Sequence, residues 1–216
     1  MPRGGTFMKQ GDIVSYDFEV YADDTLIDTS IEELAREHDI FNEEKNYGSR
    51  YTVVGTGGPY PGIGEALEKA EVGGEAEVVL EPGKGFKERN PRNVKYFRYP
   101  DVAYWAGLQD KKVERGETIV INGQQGIIDL VTSSRVRVDF NPEHAGKTLK
   151  VKVKVNRIVK DKDEILRAII EMNVGSSEGF EFSEEDGVLN IKIPSTVGIK
   201  HIVNGREIIA DIMTEE

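Results

Sequence analysis

Apolar and polar positions alternate from Ile13 to Tyr21. Val14, Tyr16, Phe18 and Val20 fall on one face, Ser15, Asp17 and Glu19 on the other, which predicts a half-buried strand. Asp23-Asp24 turns the chain and Leu26-Ile27-Asp28 runs back. Ser30, three residues before Glu33, has the spacing of a capping box and predicts a short helix carrying Ile31, Leu34 and Ala35. His38 to Arg50 is polar and reads as a loop. Tyr51 to Val54 is again strand-like and breaks at Gly55, before a loop holding Gly57, Gly58, Pro59, Pro61 and Gly62. Ile63, Ala66, Leu67 and Ala70 then recur at helical spacing, and Gly73-Gly74 is expected to end that helix. Ala76, Val78 and Leu80 alternate with Glu75 and Glu77 as the next strand. One short helix is thus held between two strands, with glycine and proline around its N-terminus and the backbone N–H groups of its first turn exposed, an arrangement that can floor a pocket.

Past Pro82 the pattern changes. Gly83-Lys84-Gly85-Phe86 opens an excursion through Asn90-Pro91 and the aromatic run Tyr96, Phe97, Tyr99, Tyr104 and Trp105. Three strand-like runs follow, Thr118–Ile121, Gly126–Val131 and Arg135–Phe140, the first two joined by the hairpin signal Asn122-Gly123. Leu149, Val151, Val153 and Val155 alternate with Lys150, Lys152 and Lys154, a half-buried strand with a basic outer face. This order predicts an antiparallel sheet, a compact β insertion, and one last strand returning to the first sheet. Beyond it, Asp163 to Met172 reads as a helix, Phe180–Phe182 and Val188–Ile193 as paired strands around Asp186-Gly187, and Ile199 to Met213 as a second helix containing Gly205. The apolar faces of these last elements need a partner, either the rest of the chain or a second copy.

Composition narrows the functions. The net charge is −11, and residues 161–216 carry thirteen acids against five bases, so a basic nucleic-acid-binding face is not expected. The acidic end reads first as a solubilising surface. No apolar run approaches the ~18–20 residues that cross a bilayer. Residues 1–7 have no apolar core of a signal peptide, and Met8 reads as the more natural start. With no cysteine the chain has no disulfide or thiolate chemistry, which fits a reducing cytoplasm. His38, His144 and His201 are far apart in sequence, so no metal site and no cofactor are expected. Gly55-Thr56-Gly57-Gly58 lacks the ending of a phosphate loop.

Val54-Gly55, Pro59-Tyr60-Pro61-Gly62-Ile63, Glu71-Val72-Gly73-Gly74 and Glu81-Pro82, in this order and spacing, resemble the core of FKBP-type peptidyl-prolyl isomerases. Residues 136–142 and 144–149, with the intervening excursion, resemble the insert-in-flap layout of SlyD-type and long archaeal members. The resemblance covers about residues 9–158. It implies an α+β fold in which an FKBP-like antiparallel sheet (8–87 and 142–158) wraps a short helix. An inserted small β domain (88–141) and a small α+β C-terminal domain (159–216) would complete it. It also implies cis-trans isomerisation of X–Pro bonds together with a chaperone role in the cytoplasm. The partners would be unfolded or proline-containing polypeptides, with neither nucleic acid nor membrane, and a homodimer through the C-terminal domain. The alternative is a holdase whose isomerase pocket has decayed.

Carried over by position, the resemblance assigns a pocket to Tyr16 (with Phe18 as the alternative on the same strand), Ile27, Asp28, Pro59, Tyr60, Ile63, Phe86 and Val151. Tyr60 would offer its backbone N–H to a substrate carbonyl. Ile27 and Val151 stand where the family has aromatic residues, Phe86 lacks the flap tyrosine's hydroxyl, and Pro59 lacks an N–H. These departures imply weaker or altered activity. Read without the resemblance, Asp28 is a helix cap and Tyr16, Phe18 and Ile63 are core residues. Tyr96, Phe97, Tyr99, Tyr104 and Trp105 either form the insert's own core or present a client-binding patch.

Overall fold

The structure, a computed structural model, describes residues 6–185 and 188–194. The expected helix over 199–213, the Asp186-Gly187 turn and His201 lie outside the described residues. In chain order the elements begin with β1 (Ile13–Ala22), β2 (Thr25–Thr29), α1 (Glu32–Glu37), β3 (Arg50–Val53), α2 (Ile63–Lys69) and β4 (Glu75–Leu80). Next come β5 (Val94–Arg98), α3 (Tyr99–Gly107), β6 (Thr118–Ile121), β7 (Gln124–Val131) and β8 (Arg135–Asp139). The described chain ends with β9 (Leu149–Ile158), α4 (Lys162–Val174), β10 (Glu181–Glu185) and β11 (Val188–Lys192). Sheets are antiparallel and helices few, an α+β fold consistent with an FKBP-like architecture. The described chain divides into two compact units, residues 6–80 with those described from 149 onward, and residues 81–148.

The first unit is organised by β1, which pairs along its length with β9, at its end with β2 and at its start with β3, while β4 pairs with the far side of β9. Register sets Tyr16 opposite Val155, Phe18 opposite Val153 and Val20 opposite Val151, so the apolar positions of both strands share one face. Helix α2 lies against β4 and β9 with Ile63, Ala66 and Leu67 buried. It ends at Lys69 rather than at Gly73-Gly74 because strand-like bonds take over first. Glu71 bridges to Phe7, Val72 N–H donates to Thr6 O at 2.9 Å, and Gly73 N–H donates to Val155 O at 2.8 Å.

The expected capping box at Ser30 is not formed. α1 starts at Glu32 behind Ile31, with no side-chain cap. Both hydroxyls before it are taken by β1 instead. Ser30 Oγ accepts from Phe18 N–H at 3.0 Å, and Thr29 Oγ1 donates to Phe18 O at 2.9 Å while accepting from Ile31 N–H. At the end of β2, satisfying buried strand groups of β1 outweighs capping an exposed six-residue helix. Helix α4 is N-capped by Asp161, whose Oδ1 accepts from Glu164 N–H at 3.0 Å, and stops at Gly175 in the left-handed region (φ 90). Its Ala168 and Ile169 bury with Ile13 and Val159, beside Tyr51 and Val53.

The second unit is a four-stranded sheet in the order β5-β8-β7-β6 with α3 packed on it. Val102 and Ala106 of α3 close a core with Ile119, Ile121, Ile128, Val136 and Val138, and Phe97, Trp105 and Phe140 pack against it. The helix is absent from the sequence reading, although Pro100 and Asp101 in its first turn and the Val102–Trp105–Ala106 spacing announce it. The segments entering and leaving the sheet are tied together: Asn90 N–H donates to Asn141 Oδ1 at 2.8 Å, Gly146 N–H to Lys87 O at 2.8 Å, and Arg89 pairs with Asp139 at 2.6 Å.

Burial pushes the Asp139 carboxyl up, but hydrogen bonds from Asn141 and Arg89 together hold it below its ordinary value of 3.8. A depressed folded value means stabilisation that is complete above the ordinary value of 3.8 and lost as pH falls from there through the folded value. Asp139→Asn is therefore expected to lower the denaturation midpoint of this unit at pH 7 and to cost less at pH 3, below the ordinary value of 3.8. Equal costs at both values would sink the assignment.

Candidate active site

The inner face of β1 supplies the wall. Tyr16 and Phe18 are buried (1% and 4% exposed), with ring centroids 6.3 Å apart, and Phe18 lies 6.3 Å from the ring of Tyr60. Tyr16 and Phe18, alternatives in the sequence, therefore both belong to this wall. Burial, opposed by Arg50, pushes the Tyr16 hydroxyl up to about 12, so it stays protonated.

A bulge supplies the next residue. Between Val20 and Tyr21 the β1–β2 register slips, so that Val20 faces Asp28 and Tyr21 faces Leu26, leaving Ile27 as the extra residue. Residues directly opposite in an antiparallel pair share a face, so Asp28 comes to the side of Val20 and Phe18. Asp28 is no helix cap. Its Oδ1 accepts from Thr29 N–H at 2.8 Å and its Oδ2 from the Tyr60 hydroxyl at 2.8 Å. Burial first, then the hydrogen bond and charge of Asp28, raise the Tyr60 hydroxyl above the ordinary value of 10.0 and keep it a donor.

Ile63 (0% exposed) and Val151 (0%) lie beneath the glycine loop. Two glycines let the loop come this close. A Cβ on Gly58 would stand 2.6 Å from Ile63 Cγ2, and Gly62 takes φ 90 at the start of α2, where a Cβ would meet Leu80, Val78 and Val151. Thr52 Oγ1 donates to Gly57 O at 3.1 Å and fixes the loop's start. Tyr60 N–H makes no hydrogen bond with any described residue. The structure thus brings together Tyr16, Phe18, Asp28, Tyr60, Ile63 and Val151. Ile27 is half-buried in the bulge beside Asp28, and Pro59 is exposed on the loop.

Phe86 belongs to the second unit, where its ring meets that of His144 (centroids 5.2 Å) and its carbonyl accepts from Gly83 N–H at 2.7 Å. The insert aromatics separate by exposure. Phe97 and Trp105 pack on the core, whereas Tyr96 (58%), Tyr99 (37%) and Tyr104 (63%) are exposed together with Leu108.

Lys45 is the residue the sequence reading passes over. Its ammonium pairs with Asp28 Oδ1 and donates to Thr29 O at 2.7 Å, with the Phe18 ring 5.8 Å away. A lone cation in a polar loop gives no signal. Only Gly48 N–H donating to Ser30 O, which folds that loop back onto β2, places it.

Among curated proteins, the chain is 36% identical over 151 residues to the short-type peptidyl-prolyl cis-trans isomerase of Methanocaldococcus jannaschii, a match covering 70% of this chain and 94% of that protein. The chain belongs to the FKBP-type peptidyl-prolyl cis-trans isomerase family. No family model matches it. The Phe18 and Tyr60 rings meet at a centroid distance of 6.3 Å, and Ile63 and Val151 are buried beneath the adjoining glycine loop. Among the described residues no helix is long and apolar enough to cross a membrane, and no group of three His, Asp or Glu is placed to hold a metal ion.

Proposed function

We propose that this chain accelerates cis-trans isomerisation of X–Pro bonds by binding the twisted amide against the apolar surface that the Phe18 and Tyr60 rings build beside the loop seated on Ile63 and Val151. The observation that carries the reading is the unbonded Tyr60 N–H beside an apolar, ring-lined wall. Rotation about the peptide bond needs no nucleophile and no metal. Its barrier of ~18–20 kcal/mol is amide resonance, and a site that binds the twisted form better than the planar one lowers it. An apolar wall disfavours the charge-separated planar amide, and a backbone N–H holds a neighbouring substrate carbonyl in the turned geometry. The departures at Ile27, Pro59, Phe86 and Val151 make the chain a weaker catalyst than one with the full aromatic set.

In the same reading the second unit is an insert-in-flap chaperone domain. Exposed Tyr96, Tyr99, Tyr104 and Leu108 offer apolar surface to unfolded chains, and the covalent tether to the first unit raises the effective concentration of a captured chain for it. That exposed surface also favours the second reading, a holdase without catalysis.

Refolding of a proline-limited protein separates the two. The intact chain is expected to accelerate the slow phase at catalytic concentrations. A chain lacking residues 88–141 is expected to lose that acceleration yet still isomerise a short proline peptide. Suppressed aggregation with no change in the refolding or peptide rate would leave the holdase reading instead.

A further inference from the structure

Both carboxylate oxygens of Asp28 are occupied. Oδ2 takes the Tyr60 hydroxyl, and Oδ1 takes Thr29 N–H and the Lys45 ammonium. A carboxylate has about four lone-pair sites, and three are filled by groups of the chain itself. Lys45 is anchored in turn to Thr29 O, and Asp28 and Lys45 are both largely withdrawn from solvent (22% and 25% side-chain exposure). The loop they reach is soft at both ends, with Gly57 and Gly62 at φ 89 and 90. Between them, the Tyr60 hydroxyl makes the sole side-chain hydrogen bond from residues 58–61 to the described part of the chain.

We propose that Lys45, Asp28 and the Tyr60 phenol form a strut that sets the position of the Tyr60 backbone N–H, so that Asp28 and Lys45 are positioning residues that act through Tyr60 rather than by touching substrate. The inference rests on the isomerase reading of the same site. The bond to Asp28 fixes the ring at its far end, and packing on Phe18 fixes its face. The backbone between two prolines then has little freedom left. Catalysis by geometry is sensitive to this, since displacement by about 1 Å can cost ~100-fold.

The test compares Tyr60→Phe, Lys45→Met, the double variant and Lys45→Arg in the full chain. Turnover and binding of one proline-containing peptide are read beside the melting temperature. Tyr60→Phe is expected to lower kcat about tenfold with KM within about twofold, because the N–H matters most to the twisted amide. Lys45→Met is expected to do nearly the same. The double variant should be no worse than the poorer single one, as members of one unit behave. Lys45→Arg should recover most of the loss by restoring a cation beside Asp28.

Unchanged kcat in Tyr60→Phe, or effects that multiply in the double variant, overturns the strut. So does a lowered melting temperature with full activity per folded molecule. If the intact chain binds the peptide without turning it over, the isomerase reading fails by itself. The strut is then judged by affinity: weaker binding by Tyr60→Phe upholds it and equal binding overturns it. Absence of both binding and turnover in the intact chain overturns both.

Discussion

Ile63→Ala is expected to be the most damaging single truncation in the first unit, costing about 2–5 kcal/mol. Ile63 is fully buried, and its Cγ2 fills the space that a Cβ on Gly58 would need. Truncation removes three carbons from a site bounded by strands β4 and β9, which cannot collapse inward without breaking their ladder. It also removes the surface on which the Gly57–Gly62 loop rests. Stability and activity should therefore fall together, with a melting temperature lower by roughly 5–15 °C. Ile63→Val keeps the β-branch against Gly58 and should cost about 0.5–1.5 kcal/mol. A melting temperature for Ile63→Ala within a degree of the parent would mean that Ile63 does not floor the pocket.

Gly126→Val should do comparable harm in the second unit, by the opposite mechanism. Gly126 sits inside β7 at an ordinary φ, so backbone strain plays no part. Space is the constraint. A Cβ there would meet Val138 Cγ1 at 2.7 Å, Phe140 Cδ1 at 2.8 Å and the Asp139 carbonyl at 2.9 Å. Side chains can turn aside, but the carbonyl belongs to the strand that pairs Asp139 with Ile127 and Val94. Moving it opens the centre of the sheet, and overpacking of this kind costs about 1–3 kcal/mol or more. Trp105, the one tryptophan of the sequence, packs on this core and reports its unfolding directly. The expected result is a lowered Trp105 emission midpoint with short-peptide turnover retained. A normal midpoint would show that β7 and β8 are spaced more widely than described.

The two variants probe regions that were legible in the sequence to different degrees. Strands β1 and β9 announced themselves because β1 from Tyr16 onward and β9 from Leu149 to Val155 bury alternate residues, and burial on one side imposes a two-residue period. Helix α2 was legible for the same reason at a different period. What depends on a partner was not legible. The slip that makes Ile27 a bulge exists only in the pairing of β1 with β2, and a capping box cannot reveal that Ser30 serves Phe18 instead. Helix α3 was lost in a run of aromatics that fits either a core or a surface, and the structure uses it for both. At the candidate site the apolar residues could be read from position, but the partners of Asp28 could not. A carboxylate before Thr-Ser suggests a cap locally, and Lys45 and Tyr60 reach it from far along the chain.

The clasp at the mouth of the second unit has a consequence for the order of assembly. Leu80 and Leu149 face each other in the β4–β9 ladder, yet residues 81–148 separate them along the chain. Joining them from an unfolded state means closing a long loop, at an entropic cost that grows with the logarithm of its length. Once the second unit is folded, Asn90 with Asn141, Arg89 with Asp139 and Lys87 with Gly146 have drawn its two ends together. The remaining closure then spans only residues 81–86 and 147–148 beyond the clasped pair. A second unit that folds before β4 meets β9 lowers the entropic cost of that pairing, and a variant whose second unit folds slowly is expected to complete β4–β9 slowly as well.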